Sequence, residues 1–299
     1  MSKLGFPWTA SRWPKGVNRK PPTRKTGMNY DTEWSRKYPA RLARAILLDN
    51  LIVPTSFALL KPSVIGEENL DALEPPVIFA PNHSSHLDTP LLLSLLPPKF
   101  RHHTVVAAGA DYFFDRTWKA VLSSLLFASI PIDRTKVSRQ SAYQALKLLE
   151  KGWNLVIYPE GGRSPDGWFQ EFKPGAAYLA VRSGCSVVPV YIHGTRSILP
   201  KGSNKVHPRG ARVSVIYGHL IQPYPQEDIR ELSSRIEQAV AALADEYSNS
   251  WWTSRLNAAR GTTPSKRGPS SSSWRRSWEL ELPSNERSGG EGQDKRWPL

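Results

Sequence analysis

Residues 77–90 read Val-Ile-Phe-Ala-Pro-Asn-His-Ser-Ser-His-Leu-Asp-Thr-Pro. The first four are a short apolar run of β-type residues, which predicts a buried strand over 77–80. Pro81 and Asn82 end it. Thr89 and Pro90 have the character of a helix N-cap and first helical residue, because proline is tolerated where the amide has no helical partner. That helix would carry residues 91–96 and stop at Pro97-Pro98. His83 and Asp88 lie between the two elements, five residues apart. On one continuous helix they would point about 140° away from each other. They meet only if the chain bends, as a strand-to-helix loop does. A carboxylate set against one imidazole nitrogen would fix the tautomer and leave the other nitrogen free as a base. The plainer alternative is a structural His83 and an Asp88 that caps the helix. His86, in the same loop, reads as structural or surface.

The chain has 299 residues, which suits one domain with tails better than two equal domains. Its net charge is +14, with seven Lys or Arg and no acid in residues 1–30. Residues 251–299 hold nine basic and five acidic residues, so the basicity lies mostly in the tails and describes their partners rather than the fold. Cys185 is the only cysteine, so no internal disulfide can form, which fits a reducing compartment. The N-terminus carries no apolar core of a signal peptide.

The chain divides into four regions. Residues 1–30 are Pro-, Lys- and Arg-rich with Trp8 and Trp13, and are expected to be disordered. Such a segment suits an anionic membrane surface, and equally nucleic acid or a solvated tail. Residues 31–62 hold the most lipid-like stretch. Residues 45–60 contain one charge, Asp49, and as helix they reach about 24 Å, short of a hydrocarbon core of ~30 Å. Pro54 would break that helix. Two short interfacial helices are therefore expected rather than a span, with packing on the domain core as the alternative.

Residues 63–250 alternate strands and helices. Strands are predicted near 104–107, 127–132, 154–158, 186–192 and 212–217, with helices at 115–125, 138–151 and 174–182. A long amphipathic helix opens at Glu227-Asp228. The alternation predicts an α/β fold, a mixed, mostly parallel sheet flanked by helices. Residues 251–299 are Ser-, Gly-, Arg- and Trp-rich without period, and are expected to be disordered.

Three strand ends carry unusual chemistry. His83 and Asp88 come after the first. Asp133-Arg134 comes after 127–132. Pro-Glu-Gly-Gly-Arg-Ser at 159–164 and Phe-Lys-Pro-Gly at 172–175 come after 154–158. Ligands in open α/β sheets bind beyond the carboxyl ends of strands. A base, a carboxylate and the cations Arg134, Arg163 and Lys173 would gather at one edge and suit a phosphate. Gly161 and Gly162 permit close backbone approach and would offer amides to an oxyanion. Taken singly, each is also an ordinary turn or a solvated charge.

Taken in order, these segments resemble the glycerolipid acyltransferase family, whose members include the lysophosphatidic acid acyltransferases. Asn82 to Asp88 matches its first motif, Ile130-Pro131-Ile132-Asp133-Arg134 the second, Tyr158 to Ser164 the third and Val188-Pro189-Val190 the fourth. The resemblance covers roughly residues 38–220. It implies transfer of a fatty acyl group from acyl-CoA or acyl-carrier protein to the hydroxyl of a lysophosphatidic acid-type acceptor, with no metal and no bound cofactor. It makes His83 the base and Asp88 its orienting carboxylate. It places Arg134, Glu160, Gly161 and Arg163, with Lys173, on the acceptor's head group, and Pro189 on the acyl side. It also implies attachment to an anionic membrane surface, on the cytoplasmic face, through an N-terminal helical pair. The chain departs from the pattern at Tyr158, where Phe is usual, and at Gly162, where Thr is usual. Ala128-Ser129 stand where Gly is common. These departures bear on the acceptor more than on the reaction. The competing readings are acylation of another lyso-lipid, a catalytically inactive membrane-binding homologue, and nucleic-acid binding, which charge alone suggests and no motif supports.

Overall fold

The structure, a computed structural model, describes residues 27–134, 139–203, 205–206, 212–268 and 276. Seven strands form one sheet in the order β1-β7-β6-β2-β5-β3-β4. They are β1 (Ser63–Ile65), β2 (Ile78–Pro81), β3 (Thr104–Gly109), β4 (Ile130–Ile132), β5 (Asn154–Val156), β6 (Val187–His193) and β7 (Ser214–Tyr217). From β6 to β4 all neighbours are parallel, and among the named strands β6 and β7 pair antiparallel. Five strands therefore present their carboxyl ends on one edge of the sheet.

Helices cover both faces, and the strands read as continuous apolar runs because both faces are buried. Along β2 the side chains alternate between the two layers. Ile78 and Ala80 enter the core shared with α4 (Arg139–Glu150), α5 (Gly175–Ser183) and α6 (Ile229–Ser248). Val77 and Phe79 enter the opposite core with Leu91, Leu92, Leu95 and Leu96 of α2 (Asp88–Leu95) and its end. This is the expected mixed sandwich. β1, three residues long, was not expected. Phe127, expected in a strand, ends helix α3 (Thr117–Phe127), and Ala128 turns left-handed before β4 begins.

The expected pair of N-terminal helices is one helix, α1 (Tyr38–Leu60), 23 residues long. Pro54 does not break it because a π turn, Leu48–Ile52, comes just before. The Val53 amide reaches back five residues to the Leu48 carbonyl, and the widened turn makes room for a ring that would collide with an α-helical carbonyl. At about 34 Å the helix is long and apolar enough to cross a membrane, which overturns the argument from shortness. It nevertheless lies along the domain. Arg44 is buried and donates to the Ser35 carbonyl, Asp49 pairs with Arg101 and His102, and Ser56 meets Ser94.

Residues 251–260 also depart from expectation. They form helix α7 (Trp251–Arg260), capped by Ser250 and packed on α6, with Asn257 donating to the buried Asp245 carboxylate. Its helical period is weak, so only its partner reveals it. Residues 27–29, expected in the N-terminal tail, make a short turn whose Gly27 amide donates to the Phe114 carbonyl. The rest of both expected tails, apart from Tyr30, residues 261–268 and Arg276, lies outside the described residues.

Candidate active site

β2 ends at Pro81, and Asn82 anchors its end. The Asn82 side chain accepts from the Ile192 amide and donates to the Ile192 carbonyl, at 2.7 and 3.1 Å, which ties the end of β2 to β6. The chain then turns, and α2 begins at Asp88 itself rather than after a Thr89 cap. The Thr89 hydroxyl instead meets the Tyr158 hydroxyl at 2.8 Å. The bend brings His83 Nδ1 to 2.8 Å from Asp88 Oδ2.

Asp88 is fully buried, with His83 14% exposed. Its Oδ2 also accepts the amides of Ser84 and Ser85, at 2.7 and 2.9 Å, and Oδ1 accepts the Thr195 hydroxyl at 2.5 Å. Three other donors converge on this carboxylate, so it is an acceptor and Nδ1 carries the proton. His83 Nε2 makes no hydrogen bond among the described residues. The imidazole stacks on Tyr158 at 4.0 Å. The chain's Tyr at this position thus contributes a ring that faces the imidazole and a hydroxyl that anchors that ring to α2.

Glu160 sits behind the histidine. It is 3% exposed, and its two oxygens accept the backbone amides of His83 and Gln170, at 2.6 and 2.9 Å. The resemblance placed Glu160 on the acceptor; in the structure its carboxylate is occupied by the chain's own backbone. Burial pushes its carboxyl up to about 8, against the opposing effect of those two amides. His86 is stacked on Tyr112, and burial, with Arg163 and His83 nearby, lowers it to about 4, so it is neutral near pH 7. That agrees with a structural role.

The cations meet at the same edge. Arg134, after β4, pairs with Asp111 through both Nε and Nη2. Lys173 donates to the Arg134 carbonyl at 2.6 Å and lies against Gly161. Gly161 has φ +69°, and a Cβ there would come within 2.9 Å of the Lys173 ammonium. Its amide closes a turn onto the Tyr158 carbonyl and is not offered outward. Among the described residues, the amides of Gly162 and Arg163 donate to nothing, and the Arg163 guanidinium has no hydrogen bond. Burial lowers Arg163, as does Arg134, while Tyr112 and Asp88 act the other way, which places it in the field of both the carboxylate and the second arginine. A cavity of about 220 Å³ adjoins this cluster, with Ile132, Ala145, Ile157 and Leu179 beside Arg134 and Lys173. Pro189, assigned to the acyl side by resemblance, lines a different cavity, near Gly218 and Leu243. It is not part of this one.

Thr195, Asp111 and Gln170 were not among the expected site residues. Thr195 carried a signal: it comes just after a predicted strand at the same sheet edge. Gly194 before it, at φ +86°, lies so close to the Arg212 carbonyl that no side chain fits. Asp111 and Gln170 carried none, since each acts through a partner distant in sequence or through its backbone.

The family model described as Acyltransferase matches residues 61–193. A 1-acyl-sn-glycerol-3-phosphate acyltransferase of Chlamydomonas reinhardtii is 29% identical over 187 residues, 61% of this chain and 52% of that protein. A chloroplastic 1-acyl-sn-glycerol-3-phosphate acyltransferase of Arabidopsis thaliana is 32% identical over 154 residues, 49% of this chain and 40% of that protein. The chain thus spans about half the length of the curated relatives it matches. The crystal structure of the 1-acyl-sn-glycerophosphate acyltransferase PlsC from Thermotoga maritima shares the fold, with TM-score 0.57 and 24% identity over 74% of this chain and 85% of that one. With the motif residues gathered at one sheet edge, the domain at residues 61–193 is a member of the glycerolipid acyltransferase family.

Proposed function

We propose that the chain transfers a fatty acyl group from a thioester, carried by coenzyme A or acyl-carrier protein, to the free hydroxyl of lysophosphatidic acid. The observation that carries this reading is the His83–Asp88 pair at 2.8 Å, with no hydrogen bond on His83 Nε2 among the described residues. His83 Nε2 takes the hydroxyl proton as the oxygen attacks the thioester carbonyl carbon. The carbon–sulfur bond then breaks, and the proton passes from His83 to the departing thiolate. General-base help of this kind contributes about 10²–10⁴-fold. The amides of Gly162 and Arg163 are the available donors for the developing oxyanion. Arg163, Arg134 and Lys173 supply the positive field for the acceptor's phosphate. The apolar cavity by Ile132 and Leu179 suits an alkyl chain.

The reading includes a membrane surface. Leu42, Ile46 and Leu51 of α1 and Trp118, Val121 and Leu122 of α3 are exposed, and the two helices touch. An apolar face of this kind suits a lipid interface from which a lyso-lipid arrives. The test is mass spectrometry of lipids formed when purified protein meets acyl-CoA or acyl-carrier protein and a panel of lyso-acceptors on anionic vesicles. Phosphatidic acid should form, and His83→Ala should stop it while the protein stays folded. Product only from another lyso-lipid would change the acceptor. No product from any acceptor, or turnover surviving His83→Ala, would end the reading.

A further inference from the structure

The loop 159–173 carries half of the site, and a segment outside the matched family region grips it. Trp168 donates its indole N–H to the Arg276 carbonyl at 2.8 Å, and the Phe169 amide donates to the Lys266 carbonyl at 2.8 Å. Arg276 Nε donates to Asp166 Oδ2 at 2.6 Å, and its Nη2 to the Arg267 carbonyl at 2.9 Å. Arg267 in turn forks onto both oxygens of Glu237 on α6, at 2.5 and 2.7 Å. Gly268, at φ +72°, lies flat on Trp168, where a Cβ would come within 2.4 Å of the ring. Residues 266–268 and Arg276 thereby fasten the outer half of the loop to α6.

The inner half of the same loop holds the histidine. The Gln170 amide, two residues beyond Trp168, donates to Glu160, and Glu160 accepts the His83 amide. The Ser164 amide, two residues before Asp166, donates to the His83 carbonyl at 2.8 Å. His83 is therefore held on both sides of its backbone by a loop that Arg276 pins from outside, through Asp166 and Trp168. An arginine seated on a half-buried carboxylate is a stiff, directional link.

We propose that Arg276 and Arg267 are positioning residues for acyl transfer, acting through Asp166, Trp168 and the loop 160–172 on the backbone of His83. The proposal rests on the acyltransferase reading for its kinetic arm only. The experiment compares full-length wild type, Arg276→Ala, Arg276→Lys and Arg267→Ala by hydrogen exchange and by steady-state kinetics. Arg276→Ala should speed exchange at the amides of His83, Ser164 and Gln170. It should lower kcat on the order of tenfold, because the His83 backbone loses its brace, and raise the acceptor KM by about threefold at most through Arg163 on the same loop. Arg276→Lys should recover part of both, since it keeps the charge and loses the planar guanidinium. Unchanged exchange at those three amides, or unchanged kcat in an otherwise active enzyme, overturns the proposal. If Arg276→Ala fails to fold, Arg276→Lys is read the same way, with a smaller effect expected and no effect counting against. If wild type transfers no acyl group, the acyltransferase reading fails, and exchange alone decides whether this segment braces His83.

Discussion

Replacing Asp88 by Asn separates the carboxylate's charge from its shape. Oδ2 accepts three donors, His83 Nδ1, Ser84 N and Ser85 N, and among the described residues Oδ1 accepts only the Thr195 hydroxyl. An Asn with its oxygen at the Oδ2 position keeps all three contacts. Its NH2 then faces Thr195, whose hydroxyl can accept it and donate onward to Ser84 Oγ, 3.0 Å away. The loop and the histidine tautomer should therefore survive, at a cost of about 1 kcal/mol for each charge-assisted bond made neutral. On the proposed mechanism, what is lost is the attraction to the imidazolium that forms when His83 takes the proton. At 2.8 Å and an effective dielectric of about 20, that attraction is at most about 6 kcal/mol. Its lower bound is about 1 kcal/mol, the margin by which a hydrogen bond to a charged acceptor exceeds a neutral one. Between these bounds, with 1.36 kcal/mol worth about tenfold in rate, kcat should fall by about 10²–10³. The assay is thiol release from acyl-CoA under saturating acceptor, alongside a urea melt. A kcat within a factor of a few of wild type, in a protein that the melt shows to be folded, would refute the idea that Asp88 acts by charge.

The same geometry sets two further outcomes. The folded-state carboxyl of Glu160 is raised to about 8, so the stability it contributes is complete below its ordinary range and is lost as pH rises through 8. Unfolding free energy should decline across that window by up to about 1.4 kcal/mol per pH unit, and Glu160→Gln should flatten the slope; an identical slope in the variant would contradict the assignment. Asp111 already occupies Arg134 at an exposed position, where such a pair is worth about 1 kcal/mol or less. Asp111→Asn should free the guanidinium and lower the acceptor KM by about fivefold at most, whereas a raised KM would mean that Asp111 aims Arg134 instead of competing for it.

Much of the architecture could be read from local order. Apolar runs bounded by Pro and Gly marked five of the seven strands almost in place, and Asp228 caps α6 as expected, accepting the amides of Arg230 and Glu231. The His83–Asp88 pairing was legible for the same reason, since five residues and one bend suffice to close it. Length and continuity were misjudged where a compensating feature was hidden. The π turn before Pro54 kept α1 whole, and the contact with α6 ordered α7, whose own pattern is weak.

The amino-acid order alone determined the alternation of elements, the edge at which polar clusters gather, and the local pairing of base with carboxylate, because each depends on residues within a turn or two of one another. Only the tertiary structure decided that Glu160 grips the His83 backbone from 77 residues away, that Thr195 completes the Asp88 cradle from 107 away, and that Arg276 reaches Asp166 from 110 away. Those partners become neighbours only when the parallel strands are laid side by side, and no periodicity records which loops will then touch.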